Sequence, residues 1–323
     1  MPAFVPTPFS EPVVSPDTAT LFRQTPYISP FEYKQTPTSV AVGNLVPGGN
    51  AGEQAAALLA VIARASDWVD TICFHRADGT LAASPTTESG WITAKDDGSL
   101  KLICNYKPIL QVNALALGPG PGSLQNIGDQ AAQSLTITGQ IIDAYSCVSR
   151  GVFPRATNVN GKFYAVWSYT NGYPHTYLAK EAKAKDKAIE VGPSIPGGTE
   201  VSGVYPGTQL TIHDGANTEV IVVSSIEGLK LNLAHELAYN HVVPTAPDTV
   251  RVSAIPWTIE QACISLTSSL IKLRGSRALV LPSSPAKATS PPKQESGQSG
   301  YKADEETARR MLSAFVVPVL RST

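Results

Sequence analysis

The sequence predicts an α+β protein in which helices bracket a large antiparallel β insertion, behind an extended N-terminal arm. Three observations carry this. Apolar residues recur at helical spacing after Asn50 and again after Pro256; they alternate with period two over much of the chain between; and the first 49 residues hold prolines too closely spaced for a long helix.

The composition agrees. Of 323 residues, 42% are hydrophobic and 16% charged, which is enough apolar material for a sizeable core and for more than one folded unit. The 25 glycines and 26 prolines favour turns, short strands and extended arms over a long-helix domain. A formal net charge of −1 supplies no overall attraction to nucleic acid or to an anionic membrane. Cys73, Cys104, Cys147 and Cys263 are scattered without a CxxC pair and read as reduced core residues. No apolar run reaches the roughly 18 residues of a membrane span. The opening MPAFVPTPFSEP lacks the basic and apolar regions of a secretory signal, so the expectation is a soluble chain made in a cytoplasm.

Within residues 1–49, eight prolines from Pro2 to Pro37 alternate with Thr, Ser and aromatics. The aromatics Phe4, Phe9, Phe22, Tyr27, Phe31 and Tyr33 are unusual in a purely solvating tail. Two readings stand, a disordered tail and an arm laid along a neighbouring subunit.

A helical core is expected over 50–281, interrupted by the β insertion at about 79–250. Asn50 and Glu53 have capping-box spacing, and Leu58, Val61, Ile62, Ala65, Trp68, Val69 and Ile72 form an apolar stripe, with Arg64, Asp67 and Asp70 opposite. Strands are expected near 91–94, 100–105, 109–117, 135–148 and 162–170. Asn171-Gly172 is the sharpest hairpin signal. PGTQLTIHDGANTEVIVVSSIEGLKLNLA alternates around Asp214-Gly215 and Glu227-Gly228, which points to a small barrel or sandwich. Thr258 and Gln261 then suggest a capping box, Ile259, Cys263, Leu266, Leu270 and Leu273 a stripe, and Gly275 a stop. Residues 282–300 read as a flexible linker, and 301–323 as a terminal segment with an amphipathic helix at about 304–317. So short a helix needs a surface to dock on, either the two earlier helices or another chain.

No catalytic, cofactor or metal residue emerges. HELAYNH places His235 and His241 six apart, whereas a zinc helix sets its two histidines one turn apart. His75, His175 and His213 read as a helix-end residue and exposed hairpin residues, and no GxSxG elbow is present. Gly118-Pro119-Gly120-Pro121-Gly122 is a turn, because its prolines remove the N–H groups a phosphate loop needs. Asp96, Asp97, Asp214 and Glu219 read as solvated, and Lys180, Lys183, Lys185 and Lys187 as a solvent-facing loop.

The order of elements, with SDWVDTIC in the first helix, PGTQLTIHDGANTEV in the β region and the helix starting at Thr258, resembles head–tail connector (adaptor) proteins of tailed phages and prophages of actinobacteria. The likeness covers roughly residues 50–280. It implies a small helical bundle, a homo-oligomeric and commonly dodecameric ring between the portal protein and a stopper or tail, a place in the virion neck, and double-stranded DNA passing through the lumen unread. The N-terminal arm and terminal helix would be the partner-binding segments, with Phe4, Phe9, Phe22, Met311, Leu312 and Phe315 as anchors. The large β insertion and long aromatic arm depart from the family pattern. The rival readings are another virion component, such as a capsid decoration, minor tail or baseplate subunit, and a carbohydrate-binding module using Trp91, Trp167, Tyr169, Tyr173 and Tyr177.

Overall fold

The computed structural model describes residues 25–37, 40–43, 45–74, 80–93, 100–126, 135–138, 141–144, 162–194, 198–244, 249–278 and 295–316. Two compact units form, one containing Ala83–Tyr173 and the other containing Leu21–Ala82 with Pro174–Thr323.

The first unit is a pair of antiparallel sheets. Strands β1 (Ser84–Thr93), β3 (Ile109–Gly118), β4 (Gln125–Asn126) and β7 (Lys162–Asn171) make one, in the order β1-β7-β3-β4. Strands β2 (Leu100–Ile103), β5 (Leu135–Thr138) and β6 (Ile141–Ala144) make the other, in the order β2-β6-β5. Period-two alternation does what it should: Leu100 and Leu102 from β2, Ile142 from β6, Leu115 and Leu117 from β3, and Ala165, Trp167 and Tyr169 from β7 meet in one core.

Asn171-Gly172 is not a hairpin. Gly172 does take a positive φ of 98°, but β7 is already paired with β1 on one edge and β3 on the other, so no edge is left for the following chain. Gly172 N–H instead donates to Pro108 O at 2.9 Å, and Ala83 N–H donates to Tyr173 O at 2.8 Å where the unit begins and ends.

The second unit combines a curled sheet with helices. Its strands are β8 (His175–Tyr177), β9 (Ala188–Glu190), β10 (Gln209–His213), β11 (Thr218–Glu227), β12 (Lys230–Leu233) and β13 (Arg251–Ser253). They run β8-β13-β10-β11-β12-β9, all antiparallel, and the sheet curls into a half-barrel whose edges touch where Leu178 bridges Val191. Ala179 N–H donates to Glu190 O at 2.9 Å and Gly192 N–H to Tyr177 O at 2.7 Å across that seam. Leu210, Ile212, Ile221, Val223, Leu231 and Val252 fill the inside. The hairpins expected at Asp214-Gly215 and Glu227-Gly228 both form.

Four helices occur among the described residues: α1 (Pro30–Gln35), α2 (Ala51–Phe74), α3 (Trp257–Ala278) and α4 (Glu295–Leu312). Helix α2 starts with the expected box, Glu53 N–H donating to Asn50 Oδ1 at 2.9 Å and Asn50 N–H to Glu53 Oε2 at 2.8 Å. It packs on α3, and α4 lies along α3 and touches α2. Helix α3 differs from its reading. Its first turn bonds to Pro256 O, it runs past Gly275, and Thr267, Ser268 and Ser269 are buried beside Ile259, Cys263 and Leu266, so it is enclosed on several faces. Helix α4 begins at Glu295, inside the stretch read as linker.

The expected fold class, a small helical bundle carrying a β insertion, is therefore corrected. Among the described residues the protein is mostly β-sheet, three antiparallel sheets with one curled into a half-barrel, because the strands bury two apolar cores of their own. Part of the expected arm is also folded. Tyr27, Ile28 and Tyr33 are at most 2% exposed, and Ser29 and Glu32 form a capping box that starts α1. Phe4, Phe9 and Phe22 lie outside the described residues.

Candidate functional site

Strand β13 carries Arg251. Arg251 is 6% exposed, and such burial is stable only when the guanidinium is paired. Its Nε and Nη2 each lie 2.9 Å from Glu32 Oε1, and Nη1 lies 2.5 Å from Glu260 Oε1. One cation thus ties α1, the curled sheet and the first turn of α3. Burial alone would lower the Arg251 pKa, but the two carboxylates outweigh it and hold the guanidinium charged. Burial pushes the Glu260 carboxyl above the ordinary range, with Arg251 opposing and Glu32 adding to the rise.

A cavity of about 520 Å³ opens beside this cluster, lined in part by Glu32, Arg251, Glu260, His213, Ile28 and Trp257. His213 holds Thr218 Oγ1 at 2.6 Å through Nδ1, and its Nε2 lies 4.0 Å from Glu32 Oε1. Trp257 is 68% exposed, an unusual exposure for an indole at the first position of a helix.

The second charged cluster is built around a buried histidine. His241 is wholly buried, with Nδ1 2.8 Å from Asp214 Oδ2 and Nε2 2.6 Å from Glu219 Oε1. Both carboxylates belong to the β10–β11 hairpin, and His241 shares backbone bonds of 2.7 and 3.0 Å with Ala182. Burial would raise the Asp214 carboxyl, but the Asn217 and Ala216 N–H groups and His241 hold it below the ordinary range. Each ring nitrogen is already taken, which leaves no lone pair for a metal and no face for a substrate. This is a clamp. Asp214 and Glu219, read from sequence as solvated, are half-buried in it, and HELAYNH contributes His241 to it while His235 is exposed.

Two further histidine and acid positions depart from the sequence reading. Asp70, expected on the exposed side of α2, is buried and accepts from Tyr27 Oη at 2.5 Å and Leu81 N–H at 2.9 Å. His175, read as exposed, is 1% exposed and sits 2.9 Å from both Ser253 Oγ and Pro26 O. Burial first, then Arg251, lowers its pKa to about 3, so the ring stays neutral.

Leu312 is fully buried in the second unit, while Met311 and Phe315 are half-buried near the end of α4. Of the suggested aromatic platform, Trp167 and Tyr169 are core residues, Tyr173 and Tyr177 half-buried, and Trp91 is 54% exposed with its ring edge-on to Tyr164 at 5.5 Å. Lys180, Lys183, Lys185 and Lys187 are exposed. Burial pushes the thiols of Cys73, Cys104 and Cys263 up to about 12, which makes them inert core residues. Cys147, His75, Asp96 and Asp97 lie outside the described residues.

Among the described residues no group of three or more His, Cys, Asp or Glu is placed to hold a metal ion, and no helix is long and apolar enough to cross a membrane. No protein-family model matches the chain, and no curated protein matches it.

Proposed function

We propose that this chain is a non-enzymatic structural subunit of a larger assembly, and specifically a head–tail connector (adaptor) subunit of a tailed bacteriophage. In this reading it is made in the host cytoplasm, forms a ring with copies of itself, joins the portal to the stopper or tail, and lets double-stranded DNA pass unread.

The observation that supports it most is how the buried ionisable groups are used. Arg251 with Glu32 and Glu260, His241 with Asp214 and Glu219, and Asp70 with Tyr27 each bond segments far apart in the chain. Groups committed in this way fix shape, the property on which a ring subunit depends. The resemblance over PGTQLTIHDGANTEV and the helix at Thr258 supplies the specific assembly. The near-neutral charge suits a lumen that must not grip phosphates.

Native mass determination of the full chain, alone and with a candidate portal protein, tests this. The expected result is a discrete ring near a dodecamer. A chain that stays monomeric with the portal and is missing from purified particles rejects the reading.

A further inference from the structure

We propose that the cavity beside Arg251 is a docking site for a basic side chain, arginine or lysine, carried by an extended segment of a partner protein. The inference stands on the chemistry of the cavity and does not rest on the connector reading.

Charge is the first argument. The cavity wall holds two carboxylates, Glu32 and Glu260, against one guanidinium, Arg251, which leaves these three groups one negative charge in excess. That charge is localised. Glu32 is satisfied on both oxygens, Oε1 by Arg251 and Oε2 by the Ser29 N–H at 2.7 Å. Among the described residues Glu260 accepts only on Oε1, from Arg251, so its Oε2 has no donor. Burial raises the Glu260 carboxyl, with Arg251 opposing and the Glu32 charge adding to the rise. A docked cation supplies both the missing donor and the missing charge.

Shape is the second argument. Trp257 precedes Glu260 by three positions, which puts the two on one face of α3, and its 68% exposure leaves the indole open to cover a cation or its methylene stem. Ile255 and Ile264 add apolar wall for that stem. About 520 Å³ exceeds one side chain and falls within the roughly 300–1,000 Å³ range of ligand pockets, so flanking backbone fits as well.

An acidic or phosphate-bearing partner is disfavoured by the same geometry. Nε, Nη1 and Nη2 of Arg251 all donate to carboxylates already, and an incoming anion would face Glu32 and Glu260.

Isothermal titration of the full chain with a blocked five-residue peptide carrying a central arginine tests the site, with the same peptide carrying the uncharged isostere citrulline as its control. The arginine peptide is expected to bind at least about tenfold more tightly, as befits a charge-assisted and cation–π contact. Glu260→Gln should abolish that preference, and Trp257→Ala should weaken binding of the arginine peptide. Affinity should also fall in acid, because a protonated Glu260 no longer carries the charge that pairs with the ligand. If Glu260→Gln does not fold, the exposed position of Trp257 lets Trp257→Ala carry the test alone. Equal binding of the two peptides, or unchanged binding in Trp257→Ala, overturns the proposal.

Discussion

Nε2 of His241 lies 2.6 Å from Oε1 of Glu219, and the imidazole that makes this contact has no exposed surface at all. On the other side of the ring Asp214 closes the pair into a clamp. Removing the histidine takes the imidazole partner from two carboxylates that are 7% and 11% exposed, leaving them only backbone and amide donors. His241→Ala is therefore expected to destabilise the second unit by about 3–5 kcal/mol, the usual cost of breaking a buried pair. Urea denaturation followed by far-UV circular dichroism measures it, and a loss under about 1 kcal/mol would contradict the clamp.

Arg251 makes the same argument at a second place. Arg251→Met leaves Glu32 and Glu260 facing each other without a cation, with an expected cost of about 3–5 kcal/mol. Adding Glu32→Gln and Glu260→Gln to that variant should recover part of the loss, since the repulsion goes with the charges. Additive losses in the triple variant would show that the three groups do not act together.

His175 governs the acid side of the stability curve. Its pKa is near 6.5 in the unfolded chain and about 3 in the folded one, so the unfolded state binds the extra proton between those values. Stability from this group is whole above pH 6.5 and falls by about 1.4 kcal/mol per pH unit below it, until about pH 3. Asp214, held below the ordinary carboxylate range, adds a loss that sets in only as pH falls below that range toward its folded value. Denaturant midpoints at pH 7 and pH 5 should therefore differ, and His175→Gln should shrink the difference.

Gly215 sits in the β10–β11 turn at a φ of 88°, and a Cβ there would come within 1.5 Å of the Phe31 ring. Gly215→Ala carries both the backbone penalty and the overlap, with an expected cost of about 1–3 kcal/mol. Trimming the ring as well, in Gly215→Ala with Phe31→Ala, should cost less than the two single losses summed. Thermal melting of the four proteins is the check, and strict additivity would rule out the contact.

The sequence made local features legible and hid the distant ones. The box at Asn50 and Glu53 and the turns at Asp214-Gly215 and Glu227-Gly228 are written within a few residues, and each forms as read. Glu32 and Arg251 are 219 positions apart, and no local period links them. Asp214 looks like any turn aspartate until the curl of the sheet brings His241 against it. Asn171-Gly172 misled for a related reason: turn chemistry bends the backbone, but whether the next segment pairs depends on whether an edge is free, and β1 and β3 had taken both. The balance between helix and sheet is not legible locally, because the two apolar cores that the strands build are tertiary facts.

The hydrogen bond between Ala83 and Tyr173 has a consequence for how this chain can change over time. The residues between them enter and leave through one doorway, so they behave as a cassette spliced into a host whose own parts, Leu21–Ala82 and Pro174–Thr323, fold together. Such a cassette is free to be lengthened, exchanged or deleted and replaced by a short loop while the host keeps its core. Variation among relatives of this protein is expected to concentrate there, as whole-module gain and loss.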